Sequence, residues 1–173
     1  MATARQAASR GSAAPERSKS FRTKTLRLHP LENAIFDAAC EALNGMERTQ
    51  LMQEAVIFEA ARLGIRWTAE APPPLQRPWP YLPDRGDEPT GVRVSITVSL
   101  SVAELITRAA EYVGASEPMF IIGATLAHIG RLQRFFQAAH ADSPDEARAI
   151  RDTLGNIRLP SQYLYSRRTA RAQ

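Results

Sequence analysis

The stretch VRVSITVSLSVAELITRAAEYV, residues 92–113, changes its period part-way along. In the first half Val94, Ile96, Val98 and Leu100 alternate with Arg93, Ser95, Thr97 and Ser99. A strict period of two predicts a half-buried strand with one apolar and one polar face. In the second half Val102, Leu105, Ile106, Ala109, Ala110 and Val113 recur at spacings of three and one, which is one face of a helix over about 102–113. Gly114 ends it, because glycine takes the left-handed conformation at little cost. A second helix is predicted over about 117–135. Ser116 caps it, and Pro118 lies in its first turn, where a missing N–H costs nothing.

The same order stands some seventy residues earlier, in TKTLRLHPLENAIFDAACEALNGMERTQLMQEAVIFEAARLGI. Leu26 and Leu28 match Val98 and Leu100, and Thr23, Thr25 and Arg27 fill the polar face. Ile35, Ala38 and Ala39 match Ile106, Ala109 and Ala110. Gly45 matches Gly114, and Leu51 and Ala55 match Phe120 and Ala124. Helices are predicted over about 31–43 and 48–64. Repeats of this kind are the first thing to look for in a chain, because they decide its architecture. A strand and two helices, of about 45 residues, bury too little surface to be stable alone, and the lone strand is an open edge. Both problems vanish if two units intertwine, with strands paired antiparallel and four helices sharing one core. This chain carries both units.

Outward from the two units, residues 1–20 are small, polar and basic and read as a disordered arm. The first unit spans 21–67 and the second 92–135. Between them lies a linker, 68–91, with seven of the twelve prolines, a composition that blocks helix and central strand. Extended at about 3.1 Å per residue it spans up to about 70 Å, enough for the two units to pair within one chain. Trp79 and Tyr81 either dock this linker on the body or form an aromatic motif for a partner. Residues 136–173 hold a further helix over about 144–155, with Ser143 as cap, and a basic tail.

Net charge is +4, but the ends carry about +9 and the middle about −5. Basic ends on an acidic body suit a polyanion, and equally suit solubilising tails. Cys40 is the one cysteine, so no intrachain disulfide forms. No run approaches the 18–20 or so apolar residues of a membrane span, and a cytoplasmic protein is the default. His29, His128 and His140 have no ligand spacing with Cys40 or a carboxylate. Glu104, Glu111 and Asp37 read as solvated helix charges. No phosphate-binding glycine loop or nucleophile motif is present, so a non-enzyme without metal or cofactor is expected.

Strand, helix, glycine turn and helix, in TLRLHP with DAACEALNG and again in ITVSLSVAELITRAAEYVGAS, resemble the ribbon-helix-helix superfamily of bacterial DNA-binding proteins. The expected fold is mainly α with a short two-stranded antiparallel β-ribbon, a tandem ribbon-helix-helix. Both copies in one chain resemble the TraY-type and VirC-type accessory proteins of DNA transfer. The resemblance implies sequence-specific binding of double-stranded DNA, the ribbon's outward side chains contacting base edges in the major groove. These are Thr23, Thr25 and Arg27 in the first copy and Ser95, Thr97 and Ser99 in the second. Arg27 matches the O6 and N7 acceptors of guanine. Phosphate contacts are expected from Arg22, Lys24, Arg93 and the starts of the second helices, at Arg48, Thr49 and Ser116. Glu117 there repels phosphate. Serine in place of Arg27 in the second copy implies a non-palindromic site. The role is a relaxosome accessory factor, with a relaxase or other DNA-processing protein as partner, or a transcriptional regulator. The assembly is a pseudo-dimeric monomer or a homodimer. A different class also fits, an antitoxin-like module. There the C-terminal segment, with Phe135, Phe136, Tyr163, Leu164 and Tyr165, orders on a toxin.

Overall fold

The alternating runs form strands β1 (Phe21–Leu28) and β2 (Val92–Ser99), paired antiparallel in a two-stranded sheet. The register sets Thr23 opposite Thr97, Thr25 opposite Ser95 and Arg27 opposite Arg93. The rest is mainly helical: α1 (Pro30–Ala42), α2 (Arg48–Arg62), α3 (Leu100–Val113), α4 (Glu117–Ala138) and α5 (Asp145–Gly155). A 3-10 turn follows at Ser161–Tyr163. The computed structural model describes residues 20–67, 72, 74–83, 91–138 and 145–164. The basic arm and the end of the basic tail lie outside the described residues, as do Ser143 and Tyr165. Among the described residues no helix is long and apolar enough to cross a membrane.

One face of the sheet is core. Leu26, Leu28, Ile96 and Val98 are buried in a single apolar cluster with Phe36, Leu51, Met52, Ile106, Phe120 and Ile121. Each such side chain contributes about 1.5–3 kcal/mol by leaving water. The packing is crossed: α2 lies against β2 and α4 against β1, while α2 and α4 pack on each other at the centre. Each strand thus rests on the second helix of the other segment, so neither segment closes a core alone.

The helix starts correct the sequence alignment. His29 caps α1, its Nδ1 accepting from the Leu31 N–H at 3.2 Å, and the Glu32 carboxylate accepts from the His29 N–H at 2.8 Å. Ser99 caps α3 in the same place, its hydroxyl accepting from the Val102 N–H at 3.3 Å. The caps stand 70 residues apart, so Leu26 and Leu28 correspond to Ile96 and Val98, not to Val98 and Leu100. Leu100, expected beneath the sheet, opens α3 and is 40% exposed. Alternation alone cannot place the end of a strand, and the cap at Ser99 ends this one a residue before Leu100. Likewise Ile35, Phe36 and Ala39 correspond to Leu105, Ile106 and Ala109, all buried. The turns behave as glycine chemistry requires: Gly114 takes φ 69°, and Asn44 and Gly45 take φ 59° and 76°.

The linker docks. Trp79 and Tyr81 are buried, with the Trp79 ring 5.2 Å from that of Phe120 and 5.8 Å from that of Tyr81. Trp79 Nε1 donates to Glu59 Oε1 at 2.8 Å. Glu59 is fully buried on α2 and also takes Arg62 Nη2 at 2.6 Å and Arg131 of α4. Burial pushes the Glu59 carboxyl up. The Arg62 hydrogen bond, the Arg131 charge and the Trp79 N–H outweigh it and hold the group below its ordinary range. Gly123 of α4 makes room for this strap, since a Cβ there would sit 2.1 Å from the Tyr81 carbonyl oxygen. One further turn of contact comes from the C-terminal segment. Leu154, Leu159 and Tyr163 are buried, Tyr163 stacks on Tyr81, and Gln133 Nε2 donates to the Leu154 and Ile157 carbonyls at 2.7 Å each.

Candidate nucleic-acid interface

Strand alternation puts two different surfaces on the ribbon. The face away from the core carries Thr23, Thr25 and Arg27 of β1 with Arg93, Ser95 and Thr97 of β2, all exposed. Phe21 and Ser99 close one end of it, and the cross-strand pair Arg27 and Arg93 closes the other. Phe21 is 62% exposed. The face holds two guanidiniums, four hydroxyls between them and Phe21, and no acid. Among the described residues Arg27 and Arg93 have no ion pair or hydrogen-bond acceptor. Among those residues nothing takes up their charges, which are open to solvent or a ligand.

Four of the residues expected to contact DNA (Ser99, Lys24, Arg48 and Ser116) are engaged in the fold. Ser99 is half-buried, and its hydroxyl caps α3. Lys24 belongs to the inner face, opposite Ile96, and its Nζ reaches Glu117 Oε2 at 2.6 Å. The stem covers apolar surface while the ammonium finds a carboxylate, as long cationic side chains do at a core edge. Glu117 also accepts from the Thr107 hydroxyl. Burial pushes the Glu117 carboxyl up, but the bonds from Lys24 and Thr107 and the Lys24 charge bring it below its usual range. Glu117 is therefore neutralised by Lys24 and is not a free charge aimed at phosphate.

Arg48 is also partnered, bound to Asp37 Oδ1 and donating to Asn33 Oδ1 at 3.0 Å. Asp37 with Arg48 and Thr107 with Glu117 are equivalent joints, each tying a first helix to the start of a second. One joint presents an arginine there and the other a glutamate. Thr49 is half-buried in the first turn of α2, where Glu47 makes no side-chain cap, so the helix-start N–H groups keep their capacity to donate. Ser116 caps α4, accepting from the Met119 N–H at 3.5 Å. Arg22 is exposed at the rim of a groove of about 440 Å³ between β1 and α3, with Leu100, Glu104, Thr107 and Arg108.

Two contacts seat the second helices beside the ribbon: Lys24 to Glu117 at the start of α4, and Gln53 Nε2 of α2 to the Thr97 carbonyl at 3.0 Å. The sequence gives no sign of either, because each joins residues far apart in the chain. Arg93, expected among the phosphate contacts, lies directly across from Arg27 on the outward face. Its alternation with Ser95 and Thr97 already carried that signal. Among the described residues no cluster of histidine, cysteine or carboxylate side chains could hold a metal ion. No protein-family model, curated protein or solved structure matches the chain.

Proposed function

We propose that this chain binds double-stranded DNA sequence-specifically, laying the β1–β2 ribbon in the major groove as a tandem ribbon-helix-helix protein that supplies both halves from one chain. The observation that carries the proposal is the outward face of the ribbon. Six exposed polar side chains (Thr23, Thr25, Arg27, Arg93, Ser95 and Thr97) cover a surface whose reverse is core. A two-stranded ribbon fits a groove about 12 Å wide, and hydroxyls and guanidiniums suit the acceptor-rich edges of the bases. Gln53 of α2 and Glu117 at the start of α4 hold the second helices beside the ribbon, and the start of α2, which has no side-chain cap, offers N–H donors for phosphate. Arg22 adds positive charge beside it.

A DNA-transfer accessory factor, working beside a relaxase or other DNA-processing protein, and a transcriptional regulator both use this chemistry. The antitoxin-like alternative would rest on Phe135 and Leu164, which are exposed, whereas Leu154, Leu159 and Tyr163 of the same segment are buried against the chain's own helices.

The test is duplex binding by fluorescence anisotropy, with target sites selected from a randomised pool. Arg27→Ala is expected to weaken binding about 5- to 150-fold, as loss of one bidentate guanine contact does, and to relax preference at one position. Affinity should fall linearly with salt on a double-logarithmic plot, each phosphate contact adding about −0.9 to the slope. Unchanged affinity and preference in Arg27→Ala would overturn the proposed reading face.

A further inference from the structure

We propose that the two ends of the ribbon read different bases, so that the chain sits on its DNA site in one orientation. Arg27 and Arg93 take guanines in neighbouring base pairs at one end, and Phe21, Thr23 and Thr97 take thymine methyl groups at the other. The proposal rests on the DNA-binding function proposed above and adds the polarity and base content of the site.

The register carries it. Corresponding residues of the two strands stand 70 apart, as their shared helix caps fix, and the pairing sets Thr25 directly opposite Ser95. The pseudo-twofold axis therefore runs through that central pair. Arg27 corresponds to Thr97, and Arg93 corresponds to Thr23. Each strand contributes one outward arginine, but from non-equivalent positions, and antiparallel pairing brings both to the same end. Had the arginines occupied equivalent positions, one would stand at each end and the surface would be symmetric. Instead one end holds two guanidiniums and the other holds Thr23 opposite Thr97 with Phe21 beyond.

Like charges set directly across an antiparallel pair destabilise it. Arg27 and Arg93 have no compensating acid among the described residues, and both are exposed. Nothing among the described residues offsets this repulsion, whereas a ligand rich in acceptors would. Directly opposed residues have Cα atoms about 4.5–5.5 Å apart, so two guanidinium forks reach acceptors in adjacent base pairs. Arginine matches O6 and N7 of guanine bidentately. The threonine methyl and the phenylalanine ring match the thymine C5-methyl. From the Arg27 pair to the Thr23 pair is four residues, about 14 Å at 3.4 Å each, and DNA rises by 3.4 Å per base pair. The two kinds of contact are thus about four base pairs apart.

The experiment is selection of sites from a randomised duplex pool by the full chain, by Arg93→Ala and by the double variant Thr23→Ala/Thr97→Ala. Binding of each to the selected site, and to that site with deoxyuridine for thymine, is then measured. Wild-type protein is expected to select a non-palindromic site with guanines at one end and thymines about four base pairs away. Arg93→Ala should lose its guanine preference at one position, with a 5- to 150-fold weaker hold on the site, and keep the thymine end. Removing the thymine methyls should weaken wild-type binding and leave the double variant indifferent. The thermal midpoint of Arg93→Ala without DNA should equal or exceed that of wild type, because a repulsion is relieved. Three results would each overturn the polarity while leaving DNA binding intact: a palindromic selected site, Arg93→Ala weakening every sequence equally as a phosphate contact does, or indifference of wild type to the thymine methyls. A lowered midpoint in Arg93→Ala would overturn it as well, by giving Arg93 a role in the fold. Failure of wild-type protein to select any duplex would remove the DNA-binding function itself.

Discussion

Replacing Glu59 by alanine tests how the linker ties the two segments together. The Glu59 carboxylate accepts from three side chains on three parts of the chain: Arg62 of its own helix, Arg131 of α4 and Trp79 of the linker. These do not lose equally. The Arg62 side chain is 41% exposed and rehydrates at almost no cost. Arg131 is 15% exposed and Trp79 only 4%, so neither regains water without moving. Removing one partner of a buried ion pair costs about 3–5 kcal/mol, and an orphaned buried N–H about 1–3 kcal/mol. The two losses overlap, because the same rearrangement relieves both, and about 4 kcal/mol is expected for Glu59→Ala. In a chain of this size that lowers the thermal midpoint by roughly 8–16 °C. Urea unfolding followed by circular dichroism reads the change directly. Glu59→Gln, which keeps an acceptor for Trp79, should lose less. A loss below about 1 kcal/mol in Glu59→Ala would refute the account of the strap, since it would leave Arg131 and Trp79 without need of the carboxylate.

Gly123→Ala drives a methyl to within 2.1 Å of the Tyr81 carbonyl and 2.7 Å of the Trp79 ring, and should cost about 1–3 kcal/mol in the same urea assay. Gly155→Ala, with nothing within 4 Å, should be harmless. Ile96→Ala, beneath the ribbon, should cost about 2–5 kcal/mol and weaken DNA binding through loss of the strand pair. Acid should destabilise in two stages, seen as urea midpoints measured across pH. Burial, aided by the Arg131 charge and opposed by Glu54 and Glu59, holds His128 below its ordinary 6.5. Its contribution is present above that value and lost as pH falls below it; His128→Gln should flatten this first stage. Glu59 and Glu117 are both held below their ordinary 4.5, so their contribution is full above it and is lost as pH falls through their lower folded values. Truncation before Leu159 should lower stability, because Leu159 and Tyr163 belong to the core, whereas ending the chain at Leu164 leaves that packing in place.

The strands and the five helices were legible in the sequence because each shows its own period, and the period reflects the face it buries. Two strands in a mainly helical chain follow from those periods, and their antiparallel pairing from the repeat, since a lone unit would leave an open edge and too small a core. The alignment of the strands was not legible. Val98 and Leu100 look as good a match to Leu26 and Leu28 as Ile96 and Val98 do. Only the cap at Ser99, which starts α3 at Leu100, decides between them. That slip of two residues hid the opposition of Arg27 and Arg93, because cross-strand partners depend on register. Lys24 was legible as a cation but not as the partner of Glu117, which is distant in sequence and close only once β1 lies against α4. Docking of Trp79 and Tyr81 was one of two open readings. Glycine at 123 is the local reason for it, and a glycine in a helix gives no sign of what approaches it.

Methylation interference on a selected duplex addresses groove and reading face together. Dimethyl sulfate places a methyl on guanine N7, an acceptor in the major groove, and on adenine N3, an acceptor in the minor groove. With the ribbon in the major groove, duplexes methylated at one or two guanine N7 positions at one end of the site should be missing from the bound fraction. Those methylated at adenine N3 should remain in it. Interference confined to adenine N3, or none at any guanine, would contradict the assignment of Arg27 and its outward neighbours as the base-reading surface.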